Sequence, residues 1–175
     1  MENPIFIGLS RQMALRSNMD TIANNIANMS TPGYRAQNMV FDEYVSNPKN
    51  GEPVRMVLDA GQFQVTKAGP VSMTGNPLDV ALAGPGFFGV QTPAGIQYTR
   101  AGNFELNVNS ELVTPQGYPV VDEGGAPILI PRNAGSIRIS EDGFISSGQG
   151  EIARLQITEF DNIQSLEPRG NNLYA

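Results

Sequence analysis

The chain has 175 residues, which is enough for one domain with its own hydrophobic core and an appended segment. It carries 11 Lys and Arg against 17 Asp and Glu, and the basic residues are scattered along the sequence. This charge pattern argues against nucleic-acid binding. Cysteine and histidine are absent, which excludes disulfides, thiolate nucleophiles, imidazole bases and the usual zinc sites.

The beginning of the sequence does not resemble a cleaved secretion signal. Residues 1–9 contain no Lys or Arg ahead of their apolar positions, and no small-residue cleavage site follows. The apolar runs at residues 80–83 and 128–130 are too short to cross a bilayer. We therefore expect a protein that does not insert into a membrane and has no cleaved signal peptide.

Residues 5–29 are predicted to form an amphipathic helix, because apolar side chains recur in steps of four and three residues. This apolar stripe consists of Leu15, Met19, Ile22, Ile26 and Met29, widened by Ala23 and Ala27. Most of the polar residues lie on the other side, at Arg16, Asn18, Asn24, Asn25 and Asn28. A Ser-Thr-Pro-Gly turn at residues 30–33 is expected to end the helix.

Residues 34–61 are predicted to be an extended arm or linker, because no periodic pattern persists there. From residue 62 onward, short runs of strand-forming residues alternate with Gly-Pro, Asn-Pro, Gly-Gly and Asp-Gly pairs. The candidate strands are 62–66, 80–82, 87–91, 97–100, 104–108, 111–114, 119–121, 128–130, 136–139, 144–146 and 152–160. The predicted fold is mainly β: an N-terminal amphipathic helix and turn (1–33), the arm (34–61), and a compact all-β domain of many short strands (62–175).

A lone helix requires a partner surface, because most helix stability in proteins comes from burying the apolar face. That surface could be the β domain of the same chain or the helices of other chains. The heptad-like spacing of the stripe and the polar arm after it favour packing between chains.

Four stretches, in this order, resemble flagellar rod and hook proteins. They are residues 18–35 (NMDTIANNIANMSTPGYR), 78–90 (LDVALAGPGFFGV), 98–104 (YTRAGNF) and 112–120 (LVTPQGYPV). The matches follow the order of that family and span most of the chain. On this resemblance the chain is identified as a member of the flagellar basal-body rod family.

Within the family, the sequence is most similar to proximal-rod proteins. Distal-rod relatives have a longer insertion between helix and β domain than residues 34–62 allow, and hook proteins have further β domains. The resemblance implies a structural subunit without enzymatic activity or cofactor, which assembles with other rod subunits and with copies of itself to transmit torque across the periplasm. It also implies export by the flagellar type III apparatus and a C-terminal helix after residue 175.

The resemblance further implies that the helix supplies the subunit interface. The predicted interface residues are Leu15, Met19, Ile22, Ala23, Asn24, Asn25, Ile26, Asn28 and Met29. The three asparagines could form a polar network that fixes the packing of neighbouring subunits, or a solvated face with an Asn cap. The resemblance favours the network.

Other functions depend on weaker patterns. Carboxylates are the remaining catalytic candidates, since a glycosidase requires a pair of them. They are Glu105, Glu111, Asp122, Glu123, Glu141 and Asp142, mostly at predicted turns or strand edges. Residues 84–86 lack the lysine of a phosphate-binding loop, and residues 107–111 lack the Asp-rich start of a calcium loop. A distal-rod subunit of the same family remains as the first alternative, followed by a carbohydrate-binding or hydrolysing β protein and a phage-tail-like module.

Adjacent phenylalanines at residues 87 and 88 could be read as a binding platform. Neighbouring strand residues face opposite sides, so at least one of Phe87 and Phe88 is expected in the core.

Overall fold

The computed structural model describes residues 3–46 and 54–175. The chain divides into two compact units. The first, which we call the helix–hairpin unit, comprises Met1–Ser30 and Arg35–Thr66. The second, the β unit, comprises Thr31–Tyr34 and Lys67–Ala175. The predicted fold class is confirmed: an N-terminal helix precedes many short antiparallel strands in several small sheets.

Helix α1 extends from Asn3 to Ala27, close to the predicted range of 5–29. Its C-terminal turn tightens, because the Met29 N–H donates to the Ile26 carbonyl three residues earlier at 3.2 Å. The chain then enters the predicted turn at residues 30–33.

The predicted arm contains a β-hairpin that the sequence pattern did not reveal. Strand β1 (Gln37–Ser46) pairs antiparallel with β2 (Val54–Gln64), and the register shifts at a bulge between Val40 and Phe41. A bulge interrupts the two-residue alternation from which strands are predicted, and apolar residues 39–41 are consecutive. Only the end of β2 had been predicted, as the candidate strand at 62–66.

Ten further strands lie in the β unit. They are β3 (Phe87–Thr92), β4 (Gly95–Thr99), β5 (Glu105–Leu106), β6 (Leu112–Val113), β7 (Arg138–Ile139), β8 (Phe144–Ser147), β9 (Gly150–Arg154), β10 (Ile157–Thr158), β11 (Pro168–Gly170) and β12 (Leu173–Tyr174). Five form a sheet in the order β10-β3-β4-β12-β11, and β7, β8 and β9 form a second sheet. The short pair β5–β6 forms a third.

Several predicted strands occur in reduced form. Residues 119–121 and 128–130 form isolated bridges, such as Val90 with Val120. The long candidate at 152–160 is divided into the end of β9, a bridge at Leu155 and the two-residue strand β10. Residues 80–82 form no strand, and β11 and β12 were not predicted.

Phe87 and Phe88 are both fully buried, on opposite faces of β3. Phe88 belongs to the larger core and meets the Phe104 ring edge-to-face at 5.2 Å between centroids. Phe87 belongs to a smaller core, where the rings of Tyr174 and Phe160 each lie 5.6 Å from it. The prediction of at least one core residue is confirmed, and the binding-platform alternative is wrong.

Arg100 explains why residues 82–86 form an ordered loop without forming a strand. Its guanidinium donates to the carbonyls of Gly84 at 2.7 Å and Gly86 at 2.6 Å, and to that of Leu82 at 3.3 Å. It also lies 5.7 Å from the Phe87 ring centre. The charged guanidinium thereby supplies hydrogen-bond donors to loop carbonyls that have no partner in a neighbouring strand. Because these carbonyls are directed at a cation, the Gly-Pro-Gly segment acts as a structural turn.

Candidate subunit interface

The apolar stripe of α1 lies at the surface of the chain. Its five large members, Leu15, Met19, Ile22, Ile26 and Met29, are between 48% and 80% exposed. Toward the N-terminus, Ile5, Leu9 and Met13 are exposed as well. A long exposed apolar surface is typical of an interaction site in a protein that folds in water.

Ile5, Leu9 and Met13 were missed in the sequence analysis. Their spacing of four residues is itself a helical signal, but Arg16 and Asp20 interrupt the row and separate it from the predicted stripe. The exposed apolar surface of α1 therefore covers more of the helix than the heptad pattern indicated.

A different side of α1, next to the stripe, is mainly small and polar, and it is the more buried side. Between positions 7 and 28, the side chains that are buried or half-buried are those of Ile7, Ser10, Ala14, Ser17, Asn18, Thr21, Asn25 and Asn28. Thr21 is only 7% exposed, and its hydroxyl donates to the Ser17 carbonyl at 3.0 Å. Helix α1 contacts both β1 and β2, whose end residue Gln64 is also buried. The helix thus packs on its own hairpin while its apolar stripe stays exposed.

Asn25 joins the helix to the hairpin. Its side-chain Nδ2 donates to the Gln37 carbonyl at 2.8 Å, and its Oδ1 accepts from the Gln37 N–H at 3.0 Å. One amide therefore satisfies both backbone groups of the first residue of β1, as a neighbouring strand would. The structure accordingly places Asn25 in a contact within the chain.

Asn24 and Asn28 bond to each other one helical turn apart. The Asn28 side chain donates to the carbonyl of Asn24 at 2.9 Å and to its Oδ1 at 2.8 Å. Asn24 and Ala23 are exposed and Asn28 is half-buried. A contact between subunits at these positions remains a prediction.

The Thr-Pro-Gly-Tyr turn after the helix packs against the rest of the β unit. Gly33 has φ +68°, and a Cβ there would overlap the backbone of Arg100 and Ala101. The Asn172 side chain donates to the Pro32 carbonyl at 2.9 Å. Burial raises the pKa of the Tyr34 phenol above its ordinary value. These contacts give the motif a structural role.

Gly33→Ala is expected to destabilise the β unit more than Gly117→Ala does. Both glycines have positive φ, but a Cβ at Gly117 would meet no atom within 4 Å. The control therefore shows the backbone strain alone, about 1–2 kcal/mol, while Gly33→Ala adds a steric clash. Chemical denaturation measures both. Equal losses in the free energy of unfolding would show that the turn does not pack closely on Arg100.

Of the six carboxylates considered as catalytic candidates, Glu111, Asp122 and Glu123 have local structural partners, whereas Glu105, Glu141 and Asp142 are exposed. Asp122 accepts the N–H groups of Gly124 and Ala126, each at 2.9 Å, within its turn. Glu111 accepts from the Asn107 side chain at 2.6 Å beside the β5–β6 turn, and Glu123 pairs with Arg154 at 2.8 Å. In residues 3–46 and 54–175, no cluster of His, Cys, Asp and Glu could hold a metal ion. Nor is any helix of the described chain long and apolar enough to cross a membrane.

Comparison with known proteins decides the family. A profile described as "Flagella basal body rod protein" matches residues 5–35, and one described as "Flagellar hook protein FlgE/F/G D1 domain" matches residues 81–147. The flagellar basal-body rod protein FlgF of Caulobacter vibrioides is 37% identical over 99% of this chain and 73% of its own length. The chain belongs to the flagellar basal-body rod protein family. It is accordingly a non-enzymatic structural protein of the basal-body rod.

Other rod proteins are similar over nearly the whole chain. FlgF of Rhizobium meliloti is 40% identical over 92% of the chain and 66% of its own length. The flagellar basal-body rod protein FlgG of Bacillus subtilis is 31% identical over 99% of the chain and 73% of its own length. The rod-protein match at residues 5–35 includes α1 from Ile5 onward and the turn that follows, and therefore contains every predicted interface residue.

Proposed function

We propose that this rod subunit is of the proximal, FlgF type and that it polymerises through α1 with other rod subunits and with copies of itself. The polymer transmits torque across the periplasm by packing. The observation that carries the proposal is the apolar stripe of α1, which stays exposed although the helix packs on its own hairpin.

The free energy available from this stripe is large enough to support assembly. Fully burying one Leu, Ile or Met side chain stabilises a complex by about 1.5–3 kcal/mol. All five large side chains of the stripe, from Leu15 to Met29, are exposed in the chain. A helical polymer would repeat this contact in every subunit, so partial burial of the stripe still stabilises the rod.

The FlgF type is supported by identity and by alignment length. Three FlgF relatives are 37–40% identical to the chain, whereas five FlgG relatives are 31–37% identical. Aligning 99% of the chain takes 178 positions with Caulobacter FlgF but 193 with Bacillus FlgG. The larger number of positions reflects more insertions, in agreement with the longer insertion expected of distal-rod proteins.

Export through the flagellar type III apparatus, without a cleaved signal peptide, completes the proposal. The apparatus would be a transient partner. The export claim rests on the family resemblance.

Immunogold labelling of isolated basal bodies tests the type and the location together. An antibody raised against this protein is expected to label the rod on the side nearest the inner membrane. Labelling at the hook end would instead indicate a distal-rod subunit. Basal bodies that carry no label, from cells that export the protein, would contradict the role as a rod subunit.

A further inference from the structure

We infer that Asn25 fixes the rotation of α1 about its own axis, so that the small polar face packs on the hairpin and the apolar stripe faces outward. We call the pair of hydrogen bonds between the Asn25 amide and the Gln37 backbone the Asn25–Gln37 clip. The orientation of α1 in the free chain would then be set before any other subunit binds.

The geometry of a helix explains why one residue can set its rotation. Neighbouring residues on an α-helix are about 100° apart around the axis. A rotation by one position would move the Asn25 amide away from Gln37 and bring Ile26 toward the hairpin. Gln37 would then lose partners for both its N–H and its C=O, which is unfavourable for backbone groups that are partly shielded from water.

Asparagine fits this position for chemical reasons. Its short amide offers one acceptor and one donor, which match the N–H and C=O of a single residue. Aspartate would keep the acceptor but lose the donor, and alanine would lose both. In coiled coils, a single buried asparagine likewise selects one packing arrangement among several apolar alternatives.

Burial on the two faces of α1 agrees with a fixed rotation. Thr21 is 7% exposed, while its neighbour Ile22 is 48% exposed. Apolar burial alone would favour the reverse, with Ile22 inside and Thr21 outside. Apolar burial therefore does not set the observed orientation, and the clip supplies a two-bond contact between the helix and β1 that can.

A single introduced cysteine can measure this orientation, because the chain contains no other cysteine. Thr21→Cys and Ile22→Cys place the thiol on the buried and exposed faces of the same helical turn. In the monomeric chain, a thiol-specific alkylating reagent is expected to label the cysteine at position 22 several-fold faster than that at position 21. Adding Asn25→Ala should bring the two rates close together, and adding Asn25→Asp should give an intermediate ratio.

Asn24→Ala is the matched control, because the Asn24 side chain bonds to Asn28 within the helix and makes no bond to Gln37. This variant is expected to keep the labelling ratio of the unmodified chain. An unchanged ratio with Asn25→Ala, or the same change with Asn24→Ala, would overturn the inference. A loss of helical circular dichroism with Asn25→Ala alone would also overturn it, because the clip would then support helix formation instead of helix rotation.

The value of the clip for rod assembly rests on the proposed function. The labelling experiment uses the monomer, so its result does not depend on whether the chain forms rods. A negative labelling result would leave the proposed rod function standing, and a failure of rod assembly would leave the clip standing.

Discussion

Ile26→Asp is expected to abolish rod assembly and swimming while leaving the thermal stability of the β unit nearly unchanged. Ile26 lies on the exposed stripe of α1 and is 63% exposed in the free chain, so the substitution removes little internal packing. In an assembled rod the same position would be covered by a neighbouring helix. An unpaired carboxylate buried there costs several kcal/mol at each contact, and the polymer repeats the contact in every subunit.

Three measurements separate the possible causes of such a defect. Electron microscopy of basal bodies reports assembly, thermal unfolding reports the β unit, and detection of the protein outside the cytoplasm reports export. Ile26→Leu serves as the matched control, because it keeps an apolar side chain of similar volume and is expected to assemble. Normal rods with Ile26→Asp would show that this part of the stripe is not an interface. Melting of the β unit would show that α1 is part of its core.

The sequence predicted the helix well because its signals are local. Apolar residues at helical spacing and a Pro-Gly turn placed its ends within two residues of those observed, Asn3 and Ala27. The fold class followed in the same way from closely spaced turn residues. The resemblance at residues 18–35 also led to the family, which the comparisons confirm.

The hairpin and the buried face of α1 could not be predicted, because they depend on contacts distant in sequence. The bulge beside Val40 disturbs the strand pattern, and Asn25 pairs with Gln37 twelve residues later. Helix periodicity identifies an apolar face but does not tell which face the chain itself covers. The structure shows the polar face packing on the hairpin. The intramolecular partner of the helix is therefore the hairpin, which had not been considered, and a separate face of the helix stays available to other subunits.

The buried apolar residues are distributed unequally between the two units. Among the residues whose side-chain burial is described, which exclude 43–60 of the hairpin, the buried hydrophobic residues are all at position 87 or later, in the β unit. Within the residues described, the helix–hairpin unit places polar groups such as Thr21 and Gln64 inside and large apolar groups outside. We therefore expect lesions in the two units to affect different properties, stability in one and assembly in the other.

Phe88→Ala is expected to lower the free energy of unfolding of the β unit by about 3–5 kcal/mol. The side chain is fully buried and packs edge-to-face against Phe104, so its removal leaves a cavity and one unmatched ring. Phe87→Ala should cost a similar amount, because Phe87 is equally buried between the rings of Phe160 and Tyr174. Rods should be lost only through reduced amounts of folded subunit.

Phe63→Ala is the matched control for these two variants, since it removes the same ring from a side chain that is 40% exposed in the hairpin. Its cost in β-unit stability is expected to stay within about 0.5 kcal/mol, as for substitutions away from a core. Chemical denaturation followed by tyrosine fluorescence measures all three, because Tyr98 and Tyr174 pack against the smaller core. A loss below about 1 kcal/mol for Phe88→Ala would mean that the larger core does not depend on this ring. An equal loss for Phe63→Ala would mean that the hairpin and the β unit unfold as one body, and the separation of stability from assembly would be wrong.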